Sequence, residues 1–216
     1  MISRKRAATL IVAALAILLV LNYLQDRRDA AIRQAGREAQ AQLARTDQKR
    51  IVYPPDALPR LALPGGDERT VRSLLNTTRQ LNYGDYAWDD YGGGGAVWIR
   101  IDLDRQILSV FRGEDEIGTA VILYGAPEKP TPRGAFRVIA KATDHYSRSY
   151  DAPMPFMLRL TEDGVAIHAS RVRPGGATHG CLGVPTGFAS KVYAIAALGT
   201  PVYIIAQSKQ EPTRTG

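Results

Sequence analysis

Apolar and polar residues change rhythm several times along these 216 residues, and each change predicts a different element. From Ala7 to Gln25 the chain carries no charge and includes Leu15-Ala16-Ile17-Leu18-Leu19-Val20-Leu21. As a helix this run spans about 28 Å, close to the hydrocarbon thickness of a bilayer, and predicts a transmembrane segment. Residues 26–50 are rich in Ala, Gln, Arg and Glu, with a thin apolar stripe at Ile32, Ala35, Ala39 and Leu43. That composition predicts a solvated spacer helix, or a short coiled coil with a partner. Pro54-Pro55, Pro59 and Pro64-Gly65-Gly66 then predict an extended linker over 51–66. Asp67 is placed to cap a helix containing Val71, Leu74, Leu75 and Thr78, so 67–96 reads as a helical and glycine-rich lead-in. Its four glycines, Gly92 to Gly95, have no GK[ST] context and read as a flexible joint.

Beyond the glycines the period becomes that of strands. Ile99, Ile101 and Leu103 alternate with Arg100, Asp102 and Asp104. Ile107–Phe111, Ile117–Leu123, Ala135–Ala140, Met157–Leu160, Val165–His168 and Val202–Ile205 are further strand-like pieces. A helix is predicted over Phe188–Leu198, with Thr186 as its start signal and Gly199 as its stop. The fold class is therefore mostly β, a sandwich or barrel-like domain over 97–206 with one or two helices, followed by a tail at 207–216.

Charge refines this picture. The net charge is +7, but residues 1–50 hold ten Lys/Arg against four Asp/Glu, and the rest is nearly balanced. The basicity belongs to the N-terminal appendage, and no basic stripe with interleaved aromatics points to nucleic acid. Asn22-Tyr23-Leu24-Gln25-Asp26 offers no small-residue cleavage site after the apolar run, which favours an uncleaved anchor over a signal peptide. The short tail 1–6, with Arg4-Lys5-Arg6, is expected in the cytoplasm and the bulk of the chain outside, as a single-pass protein of the cytoplasmic membrane facing the periplasm or cell wall.

The candidate chemistry is concentrated in fourteen residues. Thr178-His179-Gly180-Cys181 holds the single cysteine and one of three histidines, and His168 ends the apolar run Val165-Ala166-Ile167. A thiol is a useful nucleophile as thiolate, so it needs a base nearby. Cys181 is the candidate nucleophile and His168 the candidate base, with Gly175, Gly176 and Gly180 letting backbone N–H groups approach a substrate oxygen. An inert buried cysteine is the plain alternative. A metal site from His168, His179 and Cys181 is disfavoured, because His-x-Cys is too tight for usual zinc spacing and a fourth ligand is missing. No cofactor is called for. A papain-like peptidase is disfavoured, since there the cysteine precedes its histidine.

The same residues resemble the L,D-transpeptidase family of bacterial cell-wall enzymes. The match consists of Ile167-His168, then Thr178-His179-Gly180-Cys181, with Thr131-Pro132-Arg133-Gly134-Ala135-Phe136 upstream and an opening strand pair around Asp102-Leu103-Asp104-Arg105-Gln106. It covers roughly 97–206 in the right order. The resemblance implies that Cys181 attacks a peptidoglycan stem peptide, releases terminal D-alanine and passes the acyl group to an amine, forming a 3→3 cross-link. It implies that His168 takes the thiol proton while held by the Ala169 carbonyl. The N–H groups at His179, Gly180 and Cys181 would form the oxyanion hole, with Thr178 and His179 shaping the pocket. His145, in Asp144-His145-Tyr146-Ser147, resembles the family's stretch lining the cleft.

The sequence departs from the family at Gly183, where Arg or Asn is common; Arg171 and Arg173 are candidates to bind a stem carboxylate in its place. On the same scaffold, water in place of the amine would make an L,D-carboxypeptidase or endopeptidase. An inactive, membrane-anchored wall-binding protein is the reading from another class, and it would be expected to lack Cys181 or His168.

Overall fold

A computed structural model describes residues 23–25, 27–28, 49–77, 80–90 and 93–206. The chain divides into two compact units, 1–48 and 49–216. The described part of the first is helical at 23–25 and 27–28. Residues 7–22 of the expected membrane span at 7–25, most of the spacer at 26–50 and the tail at 207–216 lie outside the described residues. Among those described, no helix is long and apolar enough to cross a membrane.

The second unit is mostly β. Its large sheet contains β1 (Arg50–Val52), β4 (Ser73–Leu75), β5 (Tyr86–Trp88), β6 (Val97–Asp102), β7 (Ile107–Arg112), β8 (Asp115–Val121), β9 (Gly134–Arg137) and β14 (Pro201–Ile205). The strand order is β1-β4-β8-β7-β6-β14-β9, with β5 also on β8. A four-stranded sheet follows β10 (Ala140–Ser147), β11 (Ala152–Arg159), β12 (Ala166–Ala169) and β13 (Leu182–Val184), and β2 (Arg60–Ala62) pairs with β3 (Glu68–Thr70). One helix, α1 (Thr186–Ile195), follows β13 directly.

Alternation along β6 and β7 sends Ile99, Ile101, Leu108 and Val110 into one core, joined from β8 by Ala120 and, where the β7–β8 register shifts, by Ile117. Leu158, Ile167, Leu182 and Val184 of the smaller sheet and Phe188, Ala189 and Val192 of α1 pack with them. Each fully buried Ile, Leu, Val or Phe there contributes about 1.5–3 kcal/mol. The opposite face of the large sheet carries a second cluster, in which Trp98 stacks on Phe111 at 4.0 Å beside Tyr203, Leu63 and Val71.

Several expectations for residues 50–96 are corrected. Arg50 is not the end of a spacer helix: it starts β1, and its buried guanidinium donates to Ser73 Oγ at 3.1 Å and 2.9 Å. The proline-rich 51–66 segment is not a linker, since it folds into β1, β2 and a 3-10 turn at Pro64–Gly66 against the large sheet. The helix expected after Asp67 is replaced by β3 and β4. Val71 and Leu75 fit either period, and pairing of Ser73 with Asp115 on β8 selects the strand. The glycine run is not a loose joint at Gly93, where a Cβ would lie 2.3 Å from Arg72 Nη2 and the N–H donates to Asp115 at 2.9 Å. Thr186 is the first residue of α1 rather than its cap, a place taken by Pro185.

Candidate active site

β12 and β13 run parallel, with Ile167 opposite Leu182, His168 opposite Gly183 and Ala169 opposite Val184. Because side chains alternate, Ile167, Ala169, Leu182 and Val184 enter the core. Ala166, His168 and Gly183 therefore share the outer face. Cys181, one residue before β13, packs against Ala166, Met154 and Met157 and so extends that face. Strand spacing then puts the Cα atoms of His168 and Cys181 roughly 8 Å apart, with both side chains on the same side. Two residues distant in sequence meet because the loop 170–181 returns the chain to the neighbouring strand.

The imidazole of His168 is fixed by its own strand. Nδ1 lies 2.9 Å from the Ala169 carbonyl oxygen. A carbonyl can only accept, so Nδ1 carries the proton and Nε2 is left with a lone pair. Burial pushes the His168 pKa below its ordinary 6.5, the Ala169 carbonyl opposes that, and nearby His145 adds to it. The ring is therefore neutral near pH 7.

The thiol is half-buried, with Sγ 3.7 Å from the Gly164 carbonyl oxygen. Burial raises its pKa above 9.0; the Ala166 N–H and the Lys129 charge pull it down, and Asp163 pushes it up. Thiol and imidazole thus rest as a neutral pair, and attack by this sulfur on a substrate would require the thiol proton to move.

The loop ahead of Cys181 is held by its carbonyls. Thr178 O accepts from Ala126 N at 3.0 Å, Gly180 O from Thr131 Oγ1 at 3.0 Å, and Cys181 O from Thr178 Oγ1 at 2.6 Å. Thr131 is buried and also accepts the Gly125 N–H at 2.9 Å. The N–H groups of His179, Gly180 and Cys181 donate to no described residue. Such unspent amides beside a nucleophile can receive a developing oxyanion.

Other expected residues are distributed around this centre. His179 is exposed and stacks on Tyr150, with centroids 4.6 Å apart and planes 12° from parallel. His145 is exposed on β10, opposite Met154 on β11. Arg171 and Arg173 are exposed in the 170–181 loop, and neither is among the charges acting on the thiol. At Gly183, a Cβ would lie 2.8 Å from Ser170 Cβ, so Ser170 fills the space a side chain would need. Sequence reading missed Lys129, Tyr150 and the role of Thr131; of these only Thr131 had a signal, the Thr-Pro-x-Gly-x-Phe segment it opens. A separate cavity of about 660 Å³ lies on the far face of the large sheet, lined by Val71, Leu75, Arg100, Ser109, Phe111 and Glu116 among others, and holds none of these residues.

Comparison with known proteins bears on the same region. The YkuD family model, that of the L,D-transpeptidase catalytic domain, matches residues 96–204. No curated protein sequence matches. Among solved structures, an L,D-transpeptidase from Stackebrandtia nassauensis is 20% identical with a TM-score of 0.49, covering 55% of this chain and 59% of that one. An L,D-transpeptidase from Mycobacterium tuberculosis H37Rv is 22% identical with a TM-score of 0.48, covering 52% and 58%. A cysteine-to-serine variant of the Enterococcus faecium L,D-transpeptidase is 18% identical with a TM-score of 0.49, covering 69% and 74%. The matched region spans under two thirds of the first two proteins.

Proposed function

The chain belongs to the L,D-transpeptidase catalytic-domain family, and from that premise we propose that it is a peptidoglycan L,D-transpeptidase using Cys181 and His168. The observation that carries this reading is the outer face of β12 and β13, where a carbonyl-held neutral imidazole, a protonated thiol and unspent amides converge.

In this reading His168 Nε2 takes the thiol proton as Sγ bonds to the carbonyl carbon of the third residue of a tetrapeptide stem. The carbonyl electron pair moves to oxygen, which the N–H groups of His179, Gly180 and Cys181 receive. Collapse breaks the C–N bond, and His168 returns its proton to the departing D-alanine amine. The amine of a second stem then attacks the thioester, gives a proton to His168 and displaces the thiolate, which is reprotonated. The product is a 3→3 cross-link. The second reading is hydrolysis, with water in place of the amine.

The uncharged Ala7–Gln25 run behind Arg4-Lys5-Arg6 supports a single membrane anchor with the enzyme outside, where its substrate lies. The compact unit that holds the site begins at Lys49, ahead of the family match at residues 96–204.

The test is intact mass after exposure to a carbapenem. A covalent adduct is expected on the native protein and absent from Cys181→Ala; no adduct on folded native protein overturns the reading. Incubation with tetrapeptide muropeptides then separates the two reactions, since a transpeptidase accumulates cross-linked dimers and a hydrolase accumulates tripeptides.

A further inference from the structure

Lys129 reaches the edge of the thiol site from the loop between β8 and β9. Its Cγ lies 3.9 Å from the Cβ position of Gly180, the residue before Cys181, where the φ of +102° leaves only hydrogen. Its ammonium donates to the Tyr150 hydroxyl, and the Tyr150 ring stacks on His179. Three segments distant in sequence therefore fix one cation beside His179-Gly180-Cys181.

The partners that fix it do not neutralise it. A phenol is an uncharged acceptor, and an ammonium has three donors, so two remain for a ligand. Asp163 acts on Lys129 through charge alone, without a hydrogen bond. The amine is held protonated, by Tyr150 above all. Lys129 and Asp163 are the charged side chains that act on the thiol, and Arg171 and Arg173 do not.

We propose that Lys129 binds the free terminal carboxylate of the donor stem and so selects donors that end one residue beyond the cleaved bond. This rests on the transpeptidase reading above. In such a donor the carboxyl carbon is separated from the scissile carbonyl carbon only by N and Cα, about 3–4 Å away. With the scissile carbonyl at Sγ, that anion falls within reach of a cation beside Gly180. A longer stem, or one with an amidated terminus, presents no charge there.

The experiment measures kcat/KM of the full chain on a tetrapeptide muropeptide and on its C-terminal amide, for the native protein, Lys129→Met, Lys129→Arg and Arg171→Gln. A charge-assisted contact predicts that amidation costs the native protein about 10- to 100-fold. Lys129→Met should lose a similar factor on the acid and little on the amide, so the acid-to-amide ratio falls toward one. Lys129→Arg should restore part of the ratio, and Arg171→Gln should leave it as in the native protein. An unchanged ratio in Lys129→Met, or an equal loss on both substrates, overturns the proposal and leaves the enzyme reading intact. Turnover of neither substrate by the native protein overturns the enzyme reading and the proposal with it.

Discussion

Ser170 occupies the volume next to Gly183 on the outer face of the small sheet, with its Cβ 2.8 Å from where a Gly183 Cβ would stand. The family's usual Arg or Asn at this position is therefore not missing by simple deletion; its place is filled from the neighbouring strand's exit. Gly183→Asn forces two side chains into one volume and is expected to cost about 1–3 kcal/mol. Gly183→Asn with Ser170→Gly removes the collision and should regain most of that loss. Thermal midpoints of the two variants check it, and equal midpoints would sink the idea.

The pH dependence of acylation follows from the neutral Cys181–His168 pair. His168 acts as base only when unprotonated, and its pKa lies below 6.5, so the rate should fall as pH drops through a value under 6.5. His145 contributes by like-charge repulsion when protonated. His145→Gln should therefore raise the His168 pKa and move the acid limb upward. The burial-raised thiol puts the rise of uncatalysed alkylation in His168→Ala above pH 9.0. Carbapenem adduct formation and iodoacetamide labelling against pH test both limbs.

Thr131 ties two chain segments together under the nucleophile, donating to Gly180 O at 3.0 Å and accepting from Gly125 N at 2.9 Å. Thr131→Val keeps the shape and leaves both groups buried without a partner, a cost of about 2–4 kcal/mol. Thr131→Ser keeps the hydroxyl and should recover most of it. The rate of adduct formation should fall in Thr131→Val beyond the loss of folded protein, because the amides at His179 and Gly180 lose their support. Adduct kinetics normalised to folded fraction by circular dichroism provide the measurement.

These contacts mark where sequence stops being sufficient. β6, β7 and β14 are readable as short runs rich in β-branched and aromatic residues, even though clusters cover both faces of the sheet there. β10 is not, because Thr143, Asp144, His145 and Tyr146 are all exposed and leave no apolar rhythm. Cys181 and His168 stand out by scarcity and by motif, and the Ala169 carbonyl follows from chain adjacency. Lys129 and Tyr150 reach the site from a loop and a hairpin turn, so nothing local in sequence announces them. Arg171 and Arg173 show the converse: they lie between base and nucleophile in the chain yet remain outside the charges that act on the thiol.

Asp115 joins the 49–96 segment to the large sheet. Burial alone would raise its carboxyl, but hydrogen bonds from Arg72, Ser73 and the Gly93 N–H, with the Arg72 charge, hold it at about 2. Arg72 Nε stands at 3.0 Å and Ser73 Oγ at 2.7 Å. A carboxylate whose folded pKa is depressed binds fewer protons folded than unfolded, so it stabilises the fold above its ordinary 3.8 and loses that contribution as pH falls toward about 2. Asp115→Asn should be less stable than the native protein at pH 7 by about 2–3 kcal/mol, discounted because Arg72 is half exposed. The difference should shrink as pH falls from 4 to 2. Removing residues 49–96 strips Arg72, Ser73 and the Gly93 N–H from buried Asp115, and the Leu75 N–H and the Arg50 charge from buried Glu116, which keeps only Ser109 and Arg100. A chain starting at residue 97 should therefore not fold while one starting at Lys49 should. Urea midpoints across that pH range, and circular dichroism of the two truncations, decide the matter; a folded, adduct-forming 97–206 fragment would refute it.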